Sequence, residues 1–129
     1  MNDLNIYPEQ RLIVLVYHGD VTINDVIQAT KDMVALPNFS NEFDGIADYR
    51  DANVRFTVKE LAGLTQKVKD DDMAHGTWCL LATTPLETAM MAFFQKQLHD
   101  LHPISIFSTV AAASSYLGCD LSLYLDETK

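Results

Sequence analysis

Short runs of apolar residues, separated by polar turns, are the first structural signal in this chain. The runs at residues 4–7 and 11–17 stand on either side of Pro8-Glu9-Gln10, which predicts two antiparallel strands joined by a tight turn. The second run is almost entirely apolar, which is typical of a central strand that is covered on both faces. Further strands are predicted at residues 43–49, 78–82 and 104–107.

Helix-start signals lie between these strands. Thr22 can cap a helix, and Asp25, three residues on, favours a helix N-terminus. Thr57 with Glu60 has the spacing of a capping box, in which each side chain satisfies a free backbone N–H of the first turn. The next predicted start is Thr84-Pro85-Leu86-Glu87, with proline at the first helical position. A last helix follows Ser108-Thr109 and ends at Gly118. The predicted inward residues of the helix that begins after Thr57 are Val58, Leu61, Ala62, Thr65 and Val68.

The predicted element order is ββαβαβαβα. Strand–helix–strand repeats require parallel pairing through right-handed crossovers, so we expect an α/β fold with a mixed sheet of about five strands and helices packed on it. Residues 1–129 are expected to form a single domain. In the segment 119–129, Leu121, Leu123 and Leu125 alternate with polar residues, which predicts an extra edge strand or a tail lying against a neighbouring subunit.

The strand that ends in Asp48-Tyr49-Arg50-Asp51, and the strand that leads into the helix starting at Thr84-Pro85, resemble the SpoIIAA-like (STAS-like) family. The resemblance runs from about Leu4 to Gly118. Proteins of this family are small and bacterial, are related in fold to sporulation anti-sigma factor antagonists, and have been compared with SEC14-type lipid carriers. The resemblance implies a STAS-like domain that works by binding a protein partner.

The resemblance also implies where a regulatory phosphorylation would occur. Antagonists of this kind carry a phosphorylatable Ser or Thr, in a short motif that begins with Asp, at the start of the helix after the third strand. The Asp-Ser-Ser-Gly-like motif is missing from residues 48–57. Thr57 is the only hydroxyl near that helix start, and its pairing with Glu60 already explains it as a cap.

Composition narrows the classes of partner. The chain has 18 acidic and 9 basic residues and a formal net charge of −9. Such a surface repels phosphate backbones and anionic lipids, so nucleic acid and membranes are not expected as partners. No apolar run approaches the ~20 residues that span a bilayer, and the first residues do not resemble a secretory signal. We therefore expect a cytoplasmic protein in which Cys79 and Cys119 are reduced.

The carboxyl ends of parallel strands form the first candidate site, because loops and helix N-termini meet there in open α/β sheets. The simpler alternative is that Thr84 and Ser108 or Thr109 only cap helices, while Asp48, Arg50 and Asp51 pair with one another. The candidate residues at this edge are His18, Asp48, Arg50, Asp51, Thr83, Thr84, Ser108 and Thr109.

The helix that begins at Thr84-Pro85 is the second candidate. It is predicted to run to about Leu101, and its apolar residues, Met90, Met91 and Phe94 among them, cover more than the ~100° arc that packing on one sheet face requires. Three interpretations stay open: an ordinary core helix, a homodimer contact, and the wall of an apolar ligand pocket.

Catalytic and metal-binding motifs are weak or absent. His99 and His102 are three residues apart but lack a third ligand at helical spacing, so no metal site is predicted. The chain has no nucleophile elbow and no glycine-rich phosphate loop, and neither a catalytic residue nor a cofactor is assigned. We expect a non-enzymatic protein-binding module, with a homodimer as its expected state. The alternatives are a carrier of a small apolar ligand and a hydrolase that uses His18, Asp48 and Arg50.

Overall fold

A five-stranded sheet forms the centre of the computed structural model, which describes residues 2–98 and 103–127. Its strands lie in sequence order across the sheet; the first pairs antiparallel with the second, and the remaining pairs are parallel. This arrangement confirms the mixed α/β sheet predicted from the sequence. The strands are β1 (Asn2–Tyr7), β2 (Leu12–Val21), β3 (Asp44–Val54), β4 (Trp78–Leu81) and β5 (Ile104–Phe107).

Four helices pack on the two faces of this sheet. Each of the first three joins neighbouring parallel strands, and right-handed crossovers that always step in one direction place their helices on the same side. Residues of these three helices share one apolar cluster with the sheet, which we call the helix face; the fourth helix packs on the opposite side, which we call the tail face. The helices are α1 (Ile23–Ala35), α2 (Val58–Asp70), α3 (Pro85–Leu98) and α4 (Val110–Leu117).

The predicted helix caps are confirmed. Thr57 accepts a hydrogen bond from the backbone N–H of Glu60 at 3.2 Å, and the Glu60 carboxylate accepts one from the N–H of Thr57 at 3.0 Å. The same reciprocal pair joins Thr22 and Asp25 at the start of α1. At the end of α4, Gly118 adopts φ 74°, in the left-handed region that glycine enters without steric cost.

Two predicted details are wrong. Strand β3 does not stop at residue 49: it continues to Val54, because β2 extends to Val21 and supplies a hydrogen-bonding partner past a bulge between Val16 and His18. On α2, Val58 is 48% exposed and Ala62 is also exposed, whereas Leu64 is buried. The buried positions Leu61, Leu64, Thr65 and Val68 follow the helical period from the second turn.

The C-terminal segment is a further correction. No strand forms between residues 119 and 127; Leu121–Leu123 is a 3₁₀ turn that follows Asp120, whose carboxylate accepts from the N–H of Ser122 at 3.0 Å. Leu121 and Leu125 are buried on the tail face, while Leu123 between them is 74% exposed. A helical turn places residues four apart on the same side, so Leu121 and Leu125 are buried together without a strand. The edge strand predicted from the alternation of leucines is therefore wrong. The segment covers its own sheet.

Candidate functional site

The predicted edge residues of β3 separate onto the two faces of the sheet. Side chains alternate along a strand, and Ile46 lies in the apolar cluster of the tail face while Ala47 and Tyr49 lie in that of the helix face. The alternation directs Asp48 and Arg50 to the tail face, where they meet the C-terminal segment. The strand end therefore does not present one continuous polar site.

Asp48 and Arg50 form a buried ion pair. Arg50 donates from Nε to Oδ1 of Asp48 at 2.9 Å and from Nη2 to Oδ2 at 2.8 Å, and both side chains are only 1% exposed. Arg50 Nη2 also donates to the backbone carbonyl of Asp126 at 2.8 Å. The bidentate contact raises the pKa of Arg50. This geometry ties β3 to the C-terminal segment and leaves neither side chain open to a ligand.

The other predicted residues of this edge are dispersed. His18 Nε2 lies 2.8 Å from Oδ2 of Asp3 on β1. Asp51 is exposed on β3, where its charge contributes to the raised pKa of Arg50. Thr84 accepts from the backbone N–H of Glu87 at 3.3 Å, as expected of a helix cap. The hydroxyl of Thr57 is exposed and takes part in its capping box.

An apolar cavity of about 110 Å³ lies on the helix face, between the sheet and α1, α2 and α3. Its walls include Met90, Met91 and Phe94, three of the apolar residues that the sequence placed on this helix. Leu86, by contrast, is 64% exposed, so the apolar surface of this helix is only partly buried. The floor of the cavity is made by sheet residues, among them Leu15, Ala47, Leu80 and Ile104.

Two tyrosines form one end of the cavity. Tyr17 and Tyr49 stack with ring centroids 4.6 Å apart and an interplanar angle of 19°. Burial raises the pKa of both phenols, and the proximity of Tyr49 adds to the rise for Tyr17. Both hydroxyls are therefore neutral at physiological pH.

Glu87 is the one carboxyl among the residues that line this cavity, and it is only 5% exposed. Burial raises its pKa, while hydrogen bonds from the Thr84 side chain and the Thr83 backbone act in the opposite direction. Its Oε1 atom has no hydrogen-bond partner in the described part of the chain. The sequence analysis treated Glu87 only as a first-turn residue of α3. Its spacing of three and four residues from Met90 and Met91 was the available signal that it shares their buried face.

Trp78 lies toward the other end of the same cavity. Its indole covers Gly45 of the neighbouring strand so closely that a Cβ at that position would come within 2.5 Å of the ring. The indole Nε1 is buried and also lacks a partner among the residues that the structure describes. Trp78 was predicted as a strand residue, and nothing in its sequence context indicated an unpaired N–H.

A surface cleft adjoins the cavity at the carboxyl edge of β3. Val54 and Glu87 line both the cleft and the cavity. Glu87 thus lies between the interior space and the surface. The cleft is lined by Asn53, Val54, Arg55, Thr84, Leu86 and Glu87.

The remaining candidate chemistry is limited. Burial raises the pKa of the Cys79 thiol to about 12, which keeps it protonated and unreactive at neutral pH. His99 and His102 lie outside the described residues, as does Leu101, the predicted end of this helix; the described part of α3 is Pro85–Leu98. Within residues 2–98 and 103–127, no group of three metal-ligating side chains is found, and no helix is long and apolar enough to cross a membrane.

Comparisons with known proteins support the fold. No protein-family model matches the chain, and no curated protein matches it. Among solved structures, the anti-sigma factor antagonist SpoIIAA in its unphosphorylated form matches with a TM-score of 0.55 and 13% sequence identity, over 92% of this chain and 98% of that one. The fold is SpoIIAA-like. At this identity, the match establishes the fold alone.

Proposed function

We propose that this chain is a non-enzymatic regulatory module that acts by binding another protein. The observation that carries the proposal is the SpoIIAA-like fold, which extends over nearly the full length of both chains. The solved structure is of an anti-sigma factor antagonist, and only its class, a regulator that acts through a protein partner, is carried over.

The surface cleft at the carboxyl edge of β3 is the proposed docking surface. Leu86, which lines the cleft, is 64% exposed, and Val58, in the first turn of the neighbouring α2, is 48% exposed. An exposed apolar side chain that lines a cleft, as Leu86 does, loses contact with water when a partner covers it, which favours association. The chain's net charge of −9 favours a partner whose contacting surface is basic.

Two aspartate substitutions test this surface. Leu86→Asp places a charge in the cleft, whereas Leu123→Asp places the same charge on the tail face at a leucine that is 74% exposed. In affinity purification from the native host, a partner that binds the cleft is expected to be retained by the wild type and by Leu123→Asp and lost by Leu86→Asp. Equal retention by all three proteins would contradict the proposal. The expected homodimer is checked separately, by size-exclusion chromatography with light scattering on the purified protein.

A second function, the binding of a small apolar ligand, is favoured by the cavity of about 110 Å³ on the helix face. An apolar cavity of comparable size, ~150 Å³, is sufficient to bind benzene. Toluene is a suitable probe, and Trp78, the only tryptophan in the chain, supplies a single indole N–H resonance in NMR spectra.

The matched control for this second function is Ala47→Val, which places a larger side chain in the lining of the cavity and so reduces the space for a ligand. The wild type is expected to show a saturable shift of the indole resonance with toluene, and the variant a much weaker response. A wild-type spectrum that does not change with toluene would exclude the binding of a purely apolar ring in this cavity.

A further inference from the structure

The unpaired polar atoms beside the cavity identify the kind of molecule that would fill it. Buried side-chain polar atoms in folded proteins nearly always have a hydrogen-bond partner, because leaving one unpaired in a low-dielectric interior is unfavourable. Glu87 Oε1 and Trp78 Nε1 are the buried side-chain atoms without a partner in the described part of this chain. Both residues line the same cavity.

The position of both unpaired atoms at one cavity is informative because most of the remaining lining residues are apolar. Apart from Glu87 and Trp78, its potential hydrogen-bonding side chains are Tyr17, Tyr49 and Thr30, and Thr30 already donates to the carbonyl of Val26 at 2.8 Å. A ligand pocket typically combines apolar walls with a small number of polar groups that fix the orientation of the ligand. The helix face has this composition.

Glu87 also has the position required of an orienting group. It lines both the cavity and the surface cleft, so a molecule entering from the cleft passes its carboxyl. Glu87 Oε1 has no hydrogen-bond partner in the described part of the chain, which leaves this oxygen available as an acceptor. An acceptor beside an apolar space pairs with a hydrogen-bond donor.

We propose that the cavity binds a compact, mostly apolar ring compound that carries one hydroxyl group, and that this hydroxyl donates a hydrogen bond to Glu87 Oε1. The proposal rests on the second function above, since it requires the cavity to admit a ligand. It adds that Glu87 determines specificity by distinguishing a hydroxyl-bearing ring from an apolar ring of the same shape.

Phenol and toluene are the matched probes, because they are similar in shape and differ in the hydroxyl. Their affinities are measured from the indole N–H resonance of Trp78 in the wild type, in Glu87→Leu and in Glu9→Leu. Glu9 is an exposed carboxylate in the turn between β1 and β2 and serves as the control. Glu87→Leu is expected to weaken phenol binding about tenfold while leaving toluene binding unchanged or tighter, as for the loss of one buried hydrogen bond. Glu9→Leu is expected to change neither affinity.

The outcomes separate the two claims. If the wild type binds both probes and Glu87→Leu changes both affinities equally, or neither, the role of Glu87 is overturned while the cavity function stands. If the wild type binds neither phenol nor toluene, the ligand-binding function fails and this inference fails with it. If Glu87→Leu has a weaker affinity for phenol alone, the result supports both the cavity function and the role of Glu87.

Discussion

The two faces of the sheet differ in whether their buried charged and polar side chains have hydrogen-bond partners. On the tail face, Asp48 and Arg50 pair with each other and with the carbonyl of Asp126, so a buried charge pair has partners in place. On the helix face, Glu87 Oε1 and Trp78 Nε1 have no partner among the described residues and lie beside a cavity. A buried charge is therefore not in itself evidence of a binding site. What distinguishes the two faces is whether the protein itself completes the hydrogen bonding.

The largest expected effect is on the ion pair of the tail face. Asp48→Ala leaves the Arg50 guanidinium buried without its carboxylate, and we expect the free energy of unfolding to fall by about 3 to 5 kcal/mol. Chemical denaturation followed by Trp78 fluorescence measures it. As a control, Asp20→Ala removes the exposed partner of Arg55, at 3.3 Å, and is expected to cost less than about 1 kcal/mol. Similar losses for the two variants would remove the structural role assigned to the buried pair.

The second prediction concerns the C-terminal segment. Leu121→Ala removes a fully buried side chain of the tail face and is expected to lower the free energy of unfolding by about 2 to 5 kcal/mol. Leu123→Ala, two residues away and exposed, is expected to change it by less than about 0.5 kcal/mol. Thermal denaturation of both variants checks the difference. Equal effects would contradict the helical turn and favour the alternating strand.

The third prediction concerns Glu87 on the helix face, where the substitution is expected to raise the free energy of unfolding. Glu87→Leu replaces a buried carboxyl, one oxygen of which is unpaired, with an apolar side chain of similar size, and is expected to stabilise the ligand-free protein by about 1 to 3 kcal/mol. The measurement is again chemical denaturation. Destabilisation by this substitution would mean that the carboxyl has a structural role like that of Asp48.

The pH dependence of this stabilisation follows from the raised pKa of Glu87. The folded protein keeps the proton at pH values where the unfolded chain has lost it, so the contribution of this group to stability is full below its ordinary value of 4.5 and is lost as the pH rises through the folded-state pKa. The advantage of Glu87→Leu over the wild type should therefore grow as the pH is raised through that window and then level off. An advantage that shrinks with rising pH would show that the pKa is lowered.

The smallest expected effect is at the start of α2, a helix that walls the cavity. Thr57→Ala removes the capping hydroxyl and is expected to cost about 1 kcal/mol in thermal or chemical denaturation, while Thr57→Ser keeps the cap and is expected to cost much less. Equal losses would indicate that the methyl group of Thr57, rather than its hydroxyl, stabilises the helix.

If phosphate is incorporated at Thr57 in host extract with ATP, this hydroxyl has a regulatory role in addition to the cap.

Sequence patterns that act over a few residues predicted the structure well. The caps at Thr22 and Thr57 and the C-terminal cap at Gly118 are confirmed, because each depends on hydrogen bonds or backbone sterics within one turn. The alternation of leucines after residue 120 was misinterpreted for the converse reason. Whether residues 121–125 form a strand or a turn depends on packing against β3 and α4, which the local pattern does not contain.

The order of strands and helices, the starts of the helices and the apolar face of α3 could all be predicted from the sequence, because propensity, capping and hydrophobic period are local properties. The packing of the fold places Arg50 against the backbone carbonyl of Asp126, and it brings Glu87 and Trp78 to the same cavity. These relations join residues from different strands and helices, and they depend on how the sheet and the three crossover helices pack. The cavity, and with it the candidate site, is therefore a property of the packed fold and of no single segment.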